Sequence, residues 1–261
     1  MRNADCEMGH GRGFSILSEE HHLCLEPKVL LPIFRHSFRN LQSAFRVSLM
    51  SGILITFEGG EASGKSTQVA RLARRLEATG QPVTVVHDPG TTEVGRTIRQ
   101  LLLHARESDS LNDMTELLLF GASRSQLISE IIRPALAEGR IVVSDRFADS
   151  TAVYQGYARG LSAQFIRELE RFLLGEIRPK LTFVLDLDLA TMRKRQLRRV
   201  RPVNQPDRLE KLPDQFHQRV REGYLELARR EPDRIRLVDA SLPENEIEEI
   251  IWKECNGLLS H

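Results

Sequence analysis

The stretch ITFEGGEASGKSTQVARLARRLEATG, residues 55–80, decides the fold of this chain. The apolar run that begins at Gly52 is typical of a strand buried on both faces of a parallel sheet. A glycine-rich segment follows it. Apolar residues then recur at helical spacing from Val69 to Leu76, which predicts a helix that stops at Gly80. The stretch therefore predicts a strand, a glycine-rich turn and a helix in succession.

The turn matches the phosphate-binding pattern G-x-x-x-x-G-K-[ST] through Gly59, Gly64, Lys65 and Ser66. Glycines let several backbone N–H groups point into one cavity, and the positive end of the next helix faces the same place. Lys65 adds a charge for the β- and γ-phosphates, and Ser66 offers a hydroxyl to Mg²⁺. An ordinary glycine turn is the alternative, but the strand–helix context favours a nucleoside triphosphate. The expected ATP site consists of Gly59, Gly60, Glu61, Ala62, Ser63, Gly64, Lys65, Ser66 and Thr67.

Strand-like and helix-like segments alternate along the rest of the chain. Four further apolar runs predict strands at residues 82–87, 140–145, 180–188 and 234–239. Helical patterns lie at residues 162–175, 189–199, 213–230 and 244–258, and a long one over 111–139 is expected to bend or break near Pro134. The alternation predicts an α/β P-loop fold: a three-layer sandwich with a five-stranded parallel sheet, helices on both faces and a short lid.

Composition restricts the partners of the chain. The 37 basic and 36 acidic residues nearly balance, which argues against a general nucleic-acid or membrane surface. Cys6, Cys24 and Cys255 share no metal-ligand or redox spacing, and their odd number argues against a disulfide framework. No apolar run approaches the roughly 18 residues of a membrane span. We therefore expect a cytoplasmic protein that binds neither nucleic acid nor membrane.

Residues 1–49 differ in character from the remainder. Acidic residues lie in their first half, whereas residues 27–49 carry only basic charges. This order is wrong for a signal peptide, and a transit peptide contains few acids. His21 and His22 lie beside Cys24, but no second ligand cluster supports a metal site there. We expect a poorly ordered extension or a start-site artefact with Met50 as the natural start, followed by one domain over 50–261.

Four further segments resemble those of the thymidylate kinase family. In chain order they are HDPGTTEVGRTIRQLLL, LLLFGASRSQLISEIIRPAL, SDRFADSTAVYQGYARG and DRLEKLPDQFHQRVREGYLELA. The likeness runs from about Gly52 to the C-terminus, and the pattern DRF..ST..YQG is its most specific part. The resemblance implies a P-loop enzyme that transfers the γ-phosphoryl group of ATP to dTMP. It also implies Mg²⁺ as cofactor and a homodimer built from helices that flank the sheet.

The same resemblance implies roles for residues around the acceptor nucleotide. It makes Phe120 the surface that stacks on thymine, Arg124 a donor to a base carbonyl and Gln155 a partner of the pyrimidine edge. Core packing is the alternative for Phe120, because it lies in a leucine-rich helix. The implied dTMP site consists of Asp88, Arg99, Phe120, Arg124, Arg146, Thr151, Tyr154 and Gln155.

Phosphoryl transfer requires cations around two sets of phosphates. The resemblance implies that Arg146 contacts phosphates and that Asp145 organises Mg²⁺ together with Ser66. A structural salt bridge between Asp145 and Arg146 is the alternative, as helix capping is for Asp88. His87 and Thr91 stand where the family has arginine and glycine. The implied catalytic residues are Lys65, Arg146, Asp88, Arg198, Arg199 and Arg201.

The last three of these belong to a basic run that extends from Arg193 to Arg208. By itself the run is typical of a solvated helix face or an anion-binding patch. In the family it is the lid that closes over ATP. Because Glu61 occupies the phosphate loop, the resemblance implies that the lid supplies the cation. The segment from Pro202 to Pro206 departs from the glycine-containing lid of the family.

Two other functions stay open at this point. The first is a P-loop kinase that phosphorylates another nucleoside monophosphate. The second is a nucleotide-dependent switch or assembly ATPase, in which water or nothing accepts the phosphoryl group. A second nucleotide pocket argues against the switch, because a switch has no use for it.

Overall fold

The structure is a computed structural model, and it describes residues 52–104, 111–198 and 207–259. The expectations for residues 1–49 lie outside these ranges, as do those for Arg199 and Arg201. The single domain over residues 50–261 stays a prediction. Within the described ranges, every helix is too short or too polar to span a lipid bilayer.

A five-stranded parallel sheet forms the centre of the described domain and confirms the predicted fold class. Its strands are β1 Ile53–Glu58, β2 Val83–His87, β3 Ile141–Asp145, β4 Leu181–Asp186 and β5 Ile235–Asp239. They follow the order β2-β3-β1-β4-β5 across the sheet. Ile53 of β1 lies opposite Ile141 of β3, and Ile55 lies opposite Leu181 of β4.

Helices alternate with the strands, as the sequence predicts. Their bounds are α1 Lys65–Ala78, α2 Glu93–His104, α3 Asp113–Leu127, α4 Arg133–Ala137, α5 Ala148–Thr151, α6 Ala163–Leu174, α7 Leu189–Arg198, α8 Asp214–Arg230 and α9 Glu244–Leu259. A π-helical turn, Ile128–Ile132, joins α3 to α4 just before Pro134. Proline lacks the N–H that continues an α-helix, so the predicted change of helix near Pro134 has a direct cause. A second π-helical segment, Ala152–Ala158, continues α5.

Alternate side chains of the strands face opposite layers of the core. Ile55 and Phe57 of β1 pack with Leu72 of α1 and Ile251 of α9. Leu54 packs on the other face with the helical residues Leu127 and Ile132. The central strands are therefore buried on both sides, which explains their continuous apolar sequence.

The carboxyl ends of three adjacent strands bring the predicted site residues to one edge of the sheet. The phosphate loop follows β1, Asp88 follows β2, and Asp145 and Arg146 stand at the end of β3. Parallel strands all end on the same edge, and that edge is where open α/β sheets bind ligands. The site therefore arises from the topology, although its residues are far apart in the chain.

Candidate active site

The phosphate loop connects β1 to α1 in a conformation that requires glycine. Gly59 has φ +132°, and a Cβ atom at this position would lie 2.5 Å from the carbonyl oxygen of Leu185. Gly64 has φ +92° and immediately precedes the first residue of α1. These two positions let the loop pass close to β4 and turn into the helix, whose amino end then faces the loop cavity.

Lys65 is buried and folds back over the loop. Its Nζ donates hydrogen bonds to the carbonyl oxygens of Gly59, at 3.1 Å, and Gly60, at 2.7 Å. Burial, reinforced by the charge of Arg146, lowers the pKa of Lys65 to about 8. The loop carbonyls therefore hold the ammonium group beside the place where phosphate oxygens would lie.

Ser66 and Asp145 meet at the floor of the same cavity. The Ser66 hydroxyl donates to Oδ2 of Asp145 at 2.5 Å. A hydroxyl and a carboxylate oxygen are hard ligands of the kind that Mg²⁺ prefers. Among the described residues, no group of three or more His, Cys, Asp or Glu side chains is placed to hold a metal. The chemistry of this pair therefore fits Mg²⁺, which Ser66 and Asp145 would hold.

Arg146 lies between the phosphate loop and a tyrosine. Its backbone has φ +69°, in the left-handed region. Its guanidinium donates to Glu61 Oε1 at 2.7 Å and to the Gly59 carbonyl at 3.0 Å, and it lies 5.2 Å from the ring centre of Tyr154. Burial would raise the pKa of Glu61, but the charges of Arg146 and Lys65 outweigh it and hold that pKa at about 2. Glu61 is thus an ionised partner of Arg146.

Glu58, which the sequence analysis missed, holds the turn that carries Arg146. Its Oε1 accepts from the backbone N–H of Phe147, at 2.8 Å, and of Ser150, at 3.2 Å. Its Oε2 accepts from the Ser150 hydroxyl at 2.6 Å and the Tyr224 hydroxyl at 2.8 Å. Burial, followed by the nearby charge of Asp149, raises the pKa of Glu58 to about 7. Glu58 ends an apolar strand, and the neighbouring residues in the sequence do not indicate this role.

A second cavity collects the residues predicted for the acceptor nucleotide. Phe120 of α3 is half-buried and forms part of its wall, so it is not enclosed in the core. The π-helical continuation of α5 supplies Tyr154 and Gln155. The eight predicted residues all line this cavity: Asp88, Arg99, Phe120, Arg124, Arg146, Thr151, Tyr154 and Gln155. The structure thus brings together every residue of that set.

Arg124 is more deeply engaged with protein groups than its predicted role suggests. It donates to Asp88 Oδ2 at 2.6 Å, to the Thr151 hydroxyl at 2.8 Å and to the Phe147 carbonyl at 3.2 Å. It also donates to Glu170, a second residue that the sequence analysis missed. A guanidinium has five N–H groups. These contacts use four, so one N–H on Nη2 has no partner among the described residues.

Asp88 provides a buried acceptor between the two cavities. Its Oδ2 is paired with Arg124, whereas its Oδ1 is buried without a hydrogen-bond partner among the described residues. Burial raises the pKa of Asp88, although Arg124 opposes the shift. A buried oxygen without a partner is uncommon in a native protein, so this atom is expected to bond to a ligand or a water molecule.

The acceptor cavity adjoins the cavity of the phosphate loop. The loop cavity is lined by Lys65, Ser66 and Asp145 and also by His87, whose backbone N–H donates to the Thr91 hydroxyl at 2.7 Å. Five residues line both cavities: Glu61, Asp88, Arg99, Arg146 and Asp207. Two arginines therefore stand in the common wall, where phosphate groups from either side would meet.

Some arginines of the predicted lid lie in the described ranges and contact other parts of the protein. Arg193 donates to Asp214 at 2.5 Å and thereby ties α7 to α8. Arg195, which the sequence analysis did not select, donates to the Ala240 carbonyl at 2.8 Å and contacts the Ala62 carbonyl at 3.4 Å. Arg198 is exposed at the end of α7. Of the three lid arginines predicted to be catalytic, Arg198 alone lies in the described ranges, and its catalytic role stays a prediction.

Two adjacent ligand cavities that share arginines suit direct transfer of a phosphoryl group between two bound nucleotides. With a phosphate loop at the carboxyl edge of a 2-3-1-4-5 parallel sheet, this arrangement defines a P-loop nucleotide kinase. Comparison with known proteins identifies the family. A sequence model described as thymidylate kinase matches residues 57–251, and the chain belongs to the thymidylate kinase family.

Individual relatives agree with this assignment. The chain is 45% identical to a thymidylate kinase of Deinococcus radiodurans over 204 residues, which cover 78% of this chain and 96% of the relative. It is 42% identical to a thymidylate kinase of Syntrophotalea carbinolica over 208 residues, which cover 79% and 96%. A crystal structure of thymidylate kinase from Ehrlichia chaffeensis superposes with a TM-score of 0.62 at 29% identity, over 78% of this chain and 98% of that one. The resemblance noted in the sequence is confirmed.

Proposed function

We propose that this protein transfers the γ-phosphoryl group of ATP to dTMP and releases ADP and dTDP, in the synthesis of dTTP. The activity of the family to which the chain belongs is the first support. The second, on which the proposal mainly rests, is the common wall of the two cavities. Because Arg99 and Arg146 line both, an ATP in the loop cavity and a nucleoside monophosphate in the other would meet at these cations.

The chemistry needs positioning and charge rather than a strong base. The acceptor phosphate is already ionised at neutral pH, so its oxygen attacks the γ-phosphoryl group directly and no phosphoenzyme forms. Lys65 binds the β- and γ-phosphates, and Arg146 stabilises charge on the group in transfer. Ser66 and Asp145 would hold Mg²⁺, which would neutralise charge on the phosphates. Asp88 and Arg99 hold the acceptor phosphate.

The negative charge of Glu61 is the reason why phosphoryl transfer needs cations in addition to Arg146. It is ionised and pairs with Arg146 at 2.7 Å, so it offsets part of the positive charge in the common wall. Lid arginines that close over ATP would restore that charge and exclude water from the site. Arg198, Arg199 and Arg201 are the proposed donors.

The acceptor base is held by the remaining residues of its cavity. Phe120 supplies an apolar wall on which thymine stacks, and Arg124 has one N–H left for a base carbonyl. Gln155 contacts the pyrimidine edge, and Thr151 lines the cavity on the same side. Tyr154 lies under the sugar. This set favours a 2′-deoxyribonucleoside monophosphate with a pyrimidine base.

Release of ADP tests the proposal directly. It is measured with ATP and, in turn, dTMP, dUMP, UMP, CMP and GMP, and dTMP should give the highest kcat/KM. Hydrolysis of ATP that no acceptor stimulates would instead support a switch or assembly ATPase. Preference for another monophosphate would identify a different kinase.

A variant of the phosphate loop tests the assignment of the site. Lys65→Ala should abolish turnover while the circular dichroism spectrum stays that of the wild type. Lys253→Ala removes an exposed lysine of α9 and serves as the matched control. Full activity of Lys65→Ala would exclude the mechanism.

A homodimer is the proposed assembly. Leu101 of α2, Leu118 of α3 and Phe172 of α6 are all large apolar residues and are 51%, 49% and 86% exposed. These helices lie side by side, because α3 contacts both α2 and α6. Light scattering should give the mass of a dimer for the wild type and of a monomer for Phe172→Asp. A monomeric wild type would exclude the dimer. The cytoplasmic location and the lack of nucleic-acid partners stay predictions from composition.

A further inference from the structure

We propose that Glu116, which lies outside the acceptor cavity, sets the base specificity of the site by fixing the side-chain amide of Gln155. In this orientation the amide presents its carbonyl oxygen to the base. The site then selects pyrimidines that carry an N3–H group, such as thymine and uracil, and rejects cytosine. The inference rests on the proposed function, because it requires a pyrimidine nucleotide in this cavity.

Glu116 is fully buried in α3, and every acceptor position of its carboxylate is occupied. Its Oε1 accepts from Gln155 Nε2 at 2.8 Å and from Arg159 Nε at 2.7 Å. Its Oε2 accepts from Arg159 Nη2 at 2.8 Å and from Arg208 Nη2. Four donors therefore converge on one carboxylate.

The two arginines keep this carboxylate ionised. Burial alone would raise the pKa of Glu116, but the hydrogen bonds from Arg159, Gln155 and Arg208 and the charge of Arg159 outweigh it and lower that pKa. An ionised carboxylate has acceptors only. If the amide of Gln155 flipped, its oxygen would face Oε1 of Glu116 and a hydrogen bond would become a repulsive contact. The charge of Glu116 thus determines which end of the amide faces it.

The other end of the amide, its carbonyl oxygen, is left for a ligand. Gln155 is 1% exposed overall and lines the acceptor cavity, and its Oε1 accepts no hydrogen bond from a described residue. That oxygen complements N3–H of thymine or uracil. Cytosine has an acceptor at N3, so two acceptors would face each other. The one unused N–H of Arg124 adds to the discrimination, because it complements a 4-carbonyl group and opposes the 4-amino group of cytosine.

Glutamine alone does not confer this selectivity. Its amide has a donor end and an acceptor end, and a free amide rotates to suit either base. Selectivity arises only when a neighbour of fixed polarity prevents the rotation. Arg208 also donates from Nε to the Leu102 carbonyl at 2.8 Å, so the network that holds Glu116 is itself anchored to α2.

Glu116→Gln tests the proposal by removing the charge and keeping the shape. An amide at position 116 has a donor, so Gln155 can rotate. In the wild type, kcat/KM for dTMP should exceed that for dCMP by at least about 100-fold. In Glu116→Gln this ratio should fall at least about tenfold. A ratio within twofold of the wild-type value in the folded variant overturns the proposal, because a merely structural role would lower both activities together.

Asp113→Asn is the matched control. Asp113 lies on the same helix and pairs with the same Arg159, at 3.0 Å, but does not contact Gln155. This variant should keep the wild-type ratio of dTMP to dCMP. A fall equal to that of Glu116→Gln would trace the effect to Arg159 and overturn the proposal.

Calorimetric titration of the wild type and of Glu116→Gln makes the test independent of turnover. dTMP should bind at least about 100-fold more tightly than its N3-methyl derivative and than dCMP. Similar binding of dTMP and dCMP overturns the inference even if dTMP is phosphorylated. If dTMP binds tightly without phosphoryl transfer and its preference over dCMP falls in Glu116→Gln, the inference is supported and the proposed function is overturned, so the failure of one is distinct from the failure of the other.

Discussion

Replacement of Glu58 by glutamine should make the protein more stable at alkaline pH relative to the wild type. The carboxyl group is fully buried, and burial with the charge of Asp149 raises its pKa to about 7 from an ordinary value of 4.5. The variant can keep the hydrogen bonds of this group. Its Oε1 still accepts from the two backbone N–H groups, and its Nε2 donates to the hydroxyls of Ser150 and Tyr224, which can both accept.

The magnitude follows from proton linkage. Between pH 4.5 and 7 the folded wild type holds a proton that the unfolded chain has released. The contribution of Glu58 to the free energy of unfolding therefore falls as the pH rises through this interval, and the loss is complete above it. At about 1.4 kcal/mol for each pKa unit, the wild type loses about 2 to 3 kcal/mol between pH 5 and pH 8 through this one group. Glu58→Gln has no such loss.

Urea unfolding of both proteins at pH 5 and pH 8 measures this effect. The difference in free energy of unfolding, variant minus wild type, should increase by about 2 to 3 kcal/mol from the lower to the higher pH. Glu138→Gln, which changes an exposed glutamate just after α4, is the control and should show no such increase. A difference that is equal at both pH values would show that Glu58 is ionised throughout and refute the reasoning.

Three further predictions concern the phosphate loop and the buried arginine. Because the pKa of Lys65 is about 8 in the free protein, the Kd for ATP should rise about tenfold per pH unit above pH 8. Calorimetric titrations from pH 7 to 9.5 measure this, and a Kd that does not change with pH would contradict it. Arg124→Lys leaves the carboxylates of Asp88 and Glu170 short of donors and should lower the free energy of unfolding in urea by about 3 to 5 kcal/mol. A decrease below about 1 kcal/mol would contradict the role of the buried network. Gly59→Ala should lower the Tm by several degrees, because its Cβ would lie 2.5 Å from the Leu185 carbonyl oxygen. In Gly60→Ala the new Cβ meets no atom of the described residues within 4 Å, so equal Tm values for the two variants would exclude the steric argument.

Local patterns account for the parts of the fold that were predicted correctly. The strand before Gly59 and the helix from Lys65 follow from apolar periodicity, and the loop between them follows from residue spacing. The change of helix near Pro134 follows from the missing N–H of proline. Hydrophobic runs and proline act over a few residues, so a single pass along the chain detects them. Resemblance to a family supplied the acceptor set, which the structure gathers in one cavity.

The positions that escaped prediction are buried carboxylates. Glu58 ends an apolar strand, Glu116 lies in a leucine-rich helix and Glu170 lies in an amphipathic one, and nothing in their neighbourhoods distinguishes them from exposed glutamates. Their partners come from distant parts of the chain: Arg159 lies 43 residues from Glu116, and Arg124 lies 46 residues from Glu170. Only when the elements pack does an arginine reach Glu116 and Glu170, and do backbone N–H groups and hydroxyls reach Glu58.

The sequence by itself determined the phosphate loop, the alternation of strands and helices and the family, because these depend on short spacings and on a recognisable order of motifs. The tertiary structure decided the strand order, the meeting of the two cavities at Arg99 and Arg146, and the hydrogen bonds that orient Gln155 and hold Arg124. The physical reason is that burial and charge pairing are properties of groups brought together by folding, and the order of residues along the chain does not record those distances.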